Sequence, residues 1–231
     1  MDRVLKKRIK RGECLSDMDE MCLISSKSRW WFRIYLRNNQ LSKEAQLELL
    51  NPGNLALFKI YLKNWWLSEI VQCELIALEN EVLFDTYLKS SKCFDNTATE
   101  MLLHLEDKKW FKAYVKDHGL SQKQQVELVE MGDFELFEAY VQKHIMYGDP
   151  LLKILLGPES PTNTALFDIY SNYWSLQNRE QLELIGTRKF DLFNIYVQKH
   201  KLTFDARHAL YNTLDFEWLR AYLMAITKDD Q

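Results

Sequence analysis

The stretch LFEAYVQKHIM at residues 136–146 returns as LFNIYVQKHKL at residues 192–202. The two words belong to a longer series. Aligned on the tyrosine, the pattern F-x-x-Y occurs at Phe32/Tyr35, Phe58/Tyr61, Phe84/Tyr87, Phe111/Tyr114, Phe137/Tyr140, Phe167/Tyr170 and Phe193/Tyr196, and Leu219/Tyr222 closes it. Successive tyrosines are 26, 26, 27, 26, 30, 26 and 26 residues apart. A fixed period of this size marks stacked supersecondary units.

Each copy resolves into two helices. Four residues before the tyrosine stands Leu or Trp, and the residue after it is usually Leu or Val. These offsets share one helical stripe, which predicts a first helix, A, of about 10–11 residues. Such a helix is too short to be stable alone. Six residues after the tyrosine an apolar residue recurs (Leu41, Leu67, Leu120, Met146, Leu176, Leu202), often followed by Ser42, Ser68, Ser121 or Thr203 as the N-cap of a second helix, B. Gly53 and Gly132 are the expected left-handed stops of helix B. The unit reads as A, tight turn, B, tight turn.

A lone pair of short helices cannot bury both apolar faces, whereas stacked pairs share a continuous core. The expected fold is therefore all-α, an α-solenoid of about eight 26-residue helix-turn-helix repeats. Residues 1–28 read as a partial N-terminal capping repeat, because Ile9, Leu15 and Ser16 align with Tyr35, Leu41 and Ser42. Residues 29–156 hold repeats one to five, with Asp149 and Pro150 as cap and first residue of a helix. The Pro-rich segment 157–163 reads as a loop with a kink, and residues 164–231 hold repeats six to eight, ending in a polar cap.

Composition narrows the class. With 47% hydrophobic and 13% aromatic residues the chain is rich enough for a core, while 7 Gly and 4 Pro are few for a β-sandwich or barrel. The basic N-terminus lacks the apolar core of a signal peptide, and no long uncharged apolar run follows, so a soluble chain without membrane contact is expected. Cys14, Cys22, Cys73 and Cys93 show no paired spacing, which predicts reduced thiols in a cytoplasmic setting and no zinc site. The net charge of −3 hides an imbalance: residues 1–43 carry 11 Lys+Arg against 5 Asp+Glu, and residues 44–231 carry 19 against 28.

The architecture resembles the tetratricopeptide and ankyrin repeat classes, whose members mostly bind other proteins, although their periods and signatures differ. The line LF-x-x-YV-x-x-x-x-LS-x-x-x-Q-x-x-L is also similar to short helical repeats of bacterial proteins. The resemblance implies a protein-binding scaffold, as an adaptor, an effector, or an immunity or antitoxin-like inhibitor.

Two rows qualify as partner-binding. The positions two before and two after the tyrosine face outward together and give Arg33/Arg37, Lys59/Lys63, Asp85/Lys89 and Lys112/Lys116 in repeats one to four. At a helix spacing of about 8–10 Å these cations line a path able to meet an acidic protein surface or a phosphate backbone. Four residues after the tyrosine stand Trp65, His118, His144, Trp174 and His200, either as partner anchors or as packing over the A–B turn. An acidic row on helix B (Glu48, Glu74, Glu127, Glu183) would repel nucleic acid from that side. Gln46, Gln72, Gln125 and Gln181 read as buried amides paired with turn backbone. No phosphate loop, H-E-x-x-H or G-x-S-x-G occurs, so neither enzyme chemistry nor a cofactor is expected. The preferred partner is a protein or peptide, and nucleic acid is the alternative.

Overall fold

The computed structural model of the chain describes residues 2–146, 148–158 and 160–228, with Asp149 and Lys228 described by backbone alone. Among these residues are seventeen α-helices, one 3-10 turn and no strand. The chain divides into two compact units, Met1–Leu105 and Glu106–Gln231.

The first unit holds α1 (Arg3–Lys10), α2 (Asp17–Ser25), α3 (Arg29–Tyr35), α4 (Lys43–Leu49), α5 (Leu55–Leu62), α6 (Glu69–Ala77), α7 (Glu81–Leu88) and α8 (Asn96–Leu103). Each odd-numbered helix packs on the next odd-numbered one and each even-numbered helix on the next even-numbered one, so the unit has two rows. The second unit repeats this plan with α9 (Lys109–Val115), α10 (Gln122–Met131), α11 (Phe134–Val141), α12 (Asp149–Leu156), α13 (Pro161–Tyr173), α14 (Asn178–Gly186), α15 (Phe190–Val197), α16 (Phe204–Thr213) and α17 (Phe216–Lys228). The segment read as a partial cap is a complete pair, α1 and α2, with Ser16 accepting from the Asp19 N–H. The last repeat is the single helix α17.

The repeated aromatics are the core of both units. All seven Phe of the F-x-x-Y series are at most 1% exposed, and the eight tyrosines at most 4%. Burying a side chain of this size contributes about 1.5–3 kcal/mol. Neither helix of a pair could bury such a row without its neighbours.

Several local readings need correction. The A helices of 7 or 8 residues are shorter than expected, except α13 and α17 with 13 each. In the short ones the helix ends at the tyrosine or one residue after it, and the turn and irregular segment that follow carry Leu41, Leu67, Leu120, Met146 and Leu202 into the core. The A–B connection is thus a short turn, as expected, followed by an irregular segment whose apolar residue is buried. Pro161 opens α13, so helix replaces the last part of the loop read at 157–163, while α11 packs on α13 and α12 on α14 around it. Gly148 is the N-cap of α12, with Asp149 already inside the helix. Glu159 and the C-terminal 229–231 lie outside the described residues.

Helix B ends as expected at Gly132, in left-handed backbone with φ 62°. Gly53 does not: it sits in the 3-10 turn Pro52–Asn54. At corresponding places Lys27, Glu79, Arg188 and Leu214 adopt φ between 47° and 55° although they carry side chains. Composition alone gave no sign of these stops.

Candidate functional site

Where the connection turns its apolar residue into the core, backbone groups leave the helical ladder and must find partners. The glutamine row supplies them. Gln46 Nε2 donates to Leu41 O at 2.9 Å and its Oε1 accepts from the Ser68 N–H at 2.8 Å, joining the A–B turn of one repeat to the next. Gln72 does the same with Leu67 O and the Asp95 N–H, and Gln181 with Leu176 O and the Thr203 N–H. Gln125 bonds Leu120 O at 2.9 Å. Glu20 takes this place in the first repeat, accepting from the Ser42 N–H at 2.8 Å and from the Tyr35 hydroxyl at 2.6 Å. Thr99 holds the place at the last B helix of the first unit, and its hydroxyl turns back to Asp95 O. In the first B helix of the second unit, the Ser121 N–H is bonded by its own Gln124, in a capping box. The tyrosine hydroxyls serve the same connections, as in Tyr61 to Trp66 O and Tyr87 to Cys93 O, both at 3.1 Å. Burial pushes the Tyr61 and Tyr196 hydroxyls up to about 12.

Four rings of the row four after the tyrosine, half-buried, bond back to the preceding A helix. Trp65 Nε1 donates to Leu36 O at 2.9 Å, His144 Nε2 lies 2.6 Å from Val115 O, Trp174 Nε1 bonds Val141 O, and His200 Nε2 lies 2.6 Å from Ser171 O. Each accepting carbonyl is one residue after the tyrosine of the preceding repeat. A carbonyl only accepts, so Nε2 of both histidines carries the proton. His118, His144 and His200 also stack on their own tyrosines, Tyr114, Tyr140 and Tyr196, at centroid distances of 4.9–5.0 Å. The polar edges of these four rings are thus spent on carbonyls released at the ends of A helices, the packing role weighed for them above. No group of three or more His, Cys, Asp or Glu is placed to hold a metal among the described residues.

The basic row behaves differently in the two units. In the second, Lys112 pairs with Glu135, Lys108 bonds Asp133 at 2.6 Å and Glu135 at 3.3 Å, and Lys116 is exposed beside them. In the first, Arg33, Arg37, Lys59 and Lys63 are exposed and have no acidic partner among the described residues, and Lys89 meets only Asp85 of its own helix, at 3.5 Å. Charge in this unit is sorted by row. The odd-numbered helices carry Arg3, Lys6, Lys7, Arg8, Lys10, Arg29, Arg33 and Lys59 against Glu81 and Asp85. The even-numbered helices carry only Lys43 against Asp17, Asp19, Glu20, Glu44, Glu48, Glu69, Glu74 and Glu100. In the second unit both rows mix the two signs.

Two grooves score the basic row. One, of about 330 Å³ between α3 and α5, is lined by Arg29, Arg33, Lys59 and Lys63 over Leu55, Ala56 and Ile60. The other, of about 630 Å³ between α5 and α7, shares Lys59 and Lys63 and adds Lys89 and Lys92. A larger groove of about 920 Å³ lies between α13 and α15, where Lys189 is engaged with Leu155 O and Gly157 O and Asp168 with Lys199.

Lys92 was absent from the row read in the sequence. It lies in the A–B connection of the repeat with the 27-residue step, where Ser91 takes φ 58° and the following side chain turns inward. That one-residue irregularity is the signal that would have found it.

No disulfide joins the four cysteines among the described residues, and no helix of the described residues is long and apolar enough to cross a membrane. Comparison with protein-family models, with curated proteins and with solved structures finds no match to this chain.

Proposed function

We propose that the helix pairs continue as an α-solenoid and that the chain is a non-enzymatic protein-binding scaffold, of the adaptor, effector or inhibitor kind, acting in a reducing cytoplasm. Its partner is an acidic protein segment laid along α3, α5 and α7. The observation that carries this reading is the sorting of charge in the first unit, with unneutralised Arg33, Arg37, Lys59 and Lys63 on one row and acids on the other. Neighbouring like charges raise the free energy of the fold slightly, and a partner of opposite sign relieves this while gaining orientation and on-rate.

The test is the affinity of a labelled poly-glutamate peptide for the whole chain and for the Arg33→Glu, Lys63→Glu double variant. Two reversals on the row should weaken binding at least tenfold, whereas Glu44→Lys on the even row should not weaken it. Equal affinity for all three proteins rejects the reading.

Nucleic acid is the second reading, supported by the same cations. It predicts that log affinity falls linearly with log salt, with a slope set by the number of phosphates neutralised. Titration of single- and double-stranded oligonucleotides at low salt decides it, and the acids of the even row and the net charge of −3 weigh against it.

A further inference from the structure

The groove between α5 and α7 has a feature that a merely solvated basic face does not need. Lys92, 9% exposed, contributes to its lining, with Nζ 4.5 Å from the centroid of the Trp66 ring. No carboxylate pairs with it among the described residues, and burial pulls its ammonium below the ordinary lysine range. Lys59, Lys63 and Lys89 line the same groove, where the one acid is Asp85. A buried cation without a counter-charge is costly, and an aromatic face offsets only part of that cost.

We propose that this groove is a phosphoryl-binding pocket which receives a phosphorylated side chain of the acidic segment held on the basic row, with Lys92 as its innermost contact. The inference rests on the protein-binding reading above and names a chemical feature of the partner. Four ammonium groups against one carboxylate leave an excess of three positive charges, which a single glutamate compensates poorly and a dianion compensates well. Lysine ammoniums act as point charges that reach separate oxygens of a tetrahedral group, whereas planar carboxylates are matched best by arginine. Thr86 also lines the groove, and a hydroxyl there can donate to an oxygen of the same group. Ser90 cannot, because its hydroxyl donates to Tyr87 O at 2.6 Å.

The experiment compares two labelled peptides by fluorescence anisotropy: a poly-glutamate peptide and the same peptide with one phosphoserine. Lys92→Met is the test variant. Methionine keeps the length of the side chain and its contact with Trp66, and removing a buried unpaired charge leaves the fold at least as stable, which a thermal melt checks. The wild-type chain should bind the phosphopeptide about tenfold more tightly than the plain peptide, in line with charge-assisted hydrogen bonds. In Lys92→Met that preference should fall at least about threefold, with the phosphopeptide losing more affinity than the plain peptide. A plain peptide that binds with no gain from phosphoserine, or a preference undiminished in the variant, overturns the pocket and leaves the scaffold reading standing. Binding of neither peptide overturns both. In a separate arm, inorganic phosphate should quench or shift tryptophan fluorescence in the wild type and not in Lys92→Met. A response of the same size in both proteins counts against Lys92 as the contact.

Discussion

The side-chain oxygen of Gln46 accepts the backbone N–H of Ser68, 22 residues further along, while its amide donates to Leu41 O. One amide therefore holds its own A–B connection in shape and fixes the next repeat against it. Gln72, 4% exposed, does the same for Leu67 and Asp95. Replacing it by leucine strands a buried carbonyl and a partly buried N–H, each costing about 1–3 kcal/mol. Gln72→Leu should thus destabilise by about 2–4 kcal/mol in urea unfolding. Glu20→Gln should be nearly neutral, since Gln181 at the corresponding place donates to the Tyr196 hydroxyl and Tyr35 can reverse its role in the same way. A Gln72→Leu chain as stable as the wild type would show that the ladder is incidental.

The ring row makes a second prediction, which separates packing from partner binding. Trp174→Phe keeps an aromatic ring and removes the donor to Val141 O. It should cost about 0.5–1.5 kcal/mol of stability. Affinity for the acidic peptide should not change. A loss of affinity with unchanged stability would return the row Trp65, His118, His144, Trp174 and His200 to the role of partner anchors.

How far the sequence carries depends on whether a feature repeats. Periodic features were legible: the buried Phe and Tyr series, the amides at Gln46, Gln72 and Gln181, and the caps at Ser42, Ser121 and Thr203 all follow from spacing. Ser68 holds a cap position yet makes no side-chain cap bond. Interactions between repeats were not legible, because Trp65 and Leu36 are linked through the stack and not through local spacing. Whether a cation is neutralised was hidden for the same reason, since Lys112 meets Glu135 from another helix while Lys63 meets no acid among the described residues. Lys92 escaped because it occupies the single irregular connection in its unit.

Backbone strain gives a third prediction. Leu214 ends α16 at φ 53° and is 75% exposed, so its side chain contributes little packing to offset a left-handed conformation. That conformation costs an L-residue about 1–2 kcal/mol, against about 0.5–1 kcal/mol of added chain entropy for glycine. Leu214→Gly should therefore raise the melting temperature modestly, by the equivalent of up to about 1 kcal/mol. A lower melting temperature would mean that the leucine packs more than its exposure indicates.

His118 gives the pH dependence. Burial holds its imidazole below the ordinary histidine range, with a further downward push from His144 and an opposing pull from Asp117. The unfolded chain, with a histidine near pKa 6.5, then takes up a proton before the folded one does. Stability must rise with pH wherever the unfolded state binds more protons. The His118 contribution is complete above about pH 6.5, is lost as the pH falls toward the depressed folded value, and changes no further below it. Asp19, held low by the Ser16 hydroxyl and by Arg8, and Glu135, held low by Lys112 and Lys108, act in a separate window that opens only below about pH 4. His118→Phe keeps a ring against Tyr114 and removes the titration. Urea midpoints measured across the two windows should show the wild type losing stability relative to this variant between about pH 7 and pH 5, and both should decline in parallel once the carboxylates protonate. Parallel profiles throughout would place the proton uptake elsewhere.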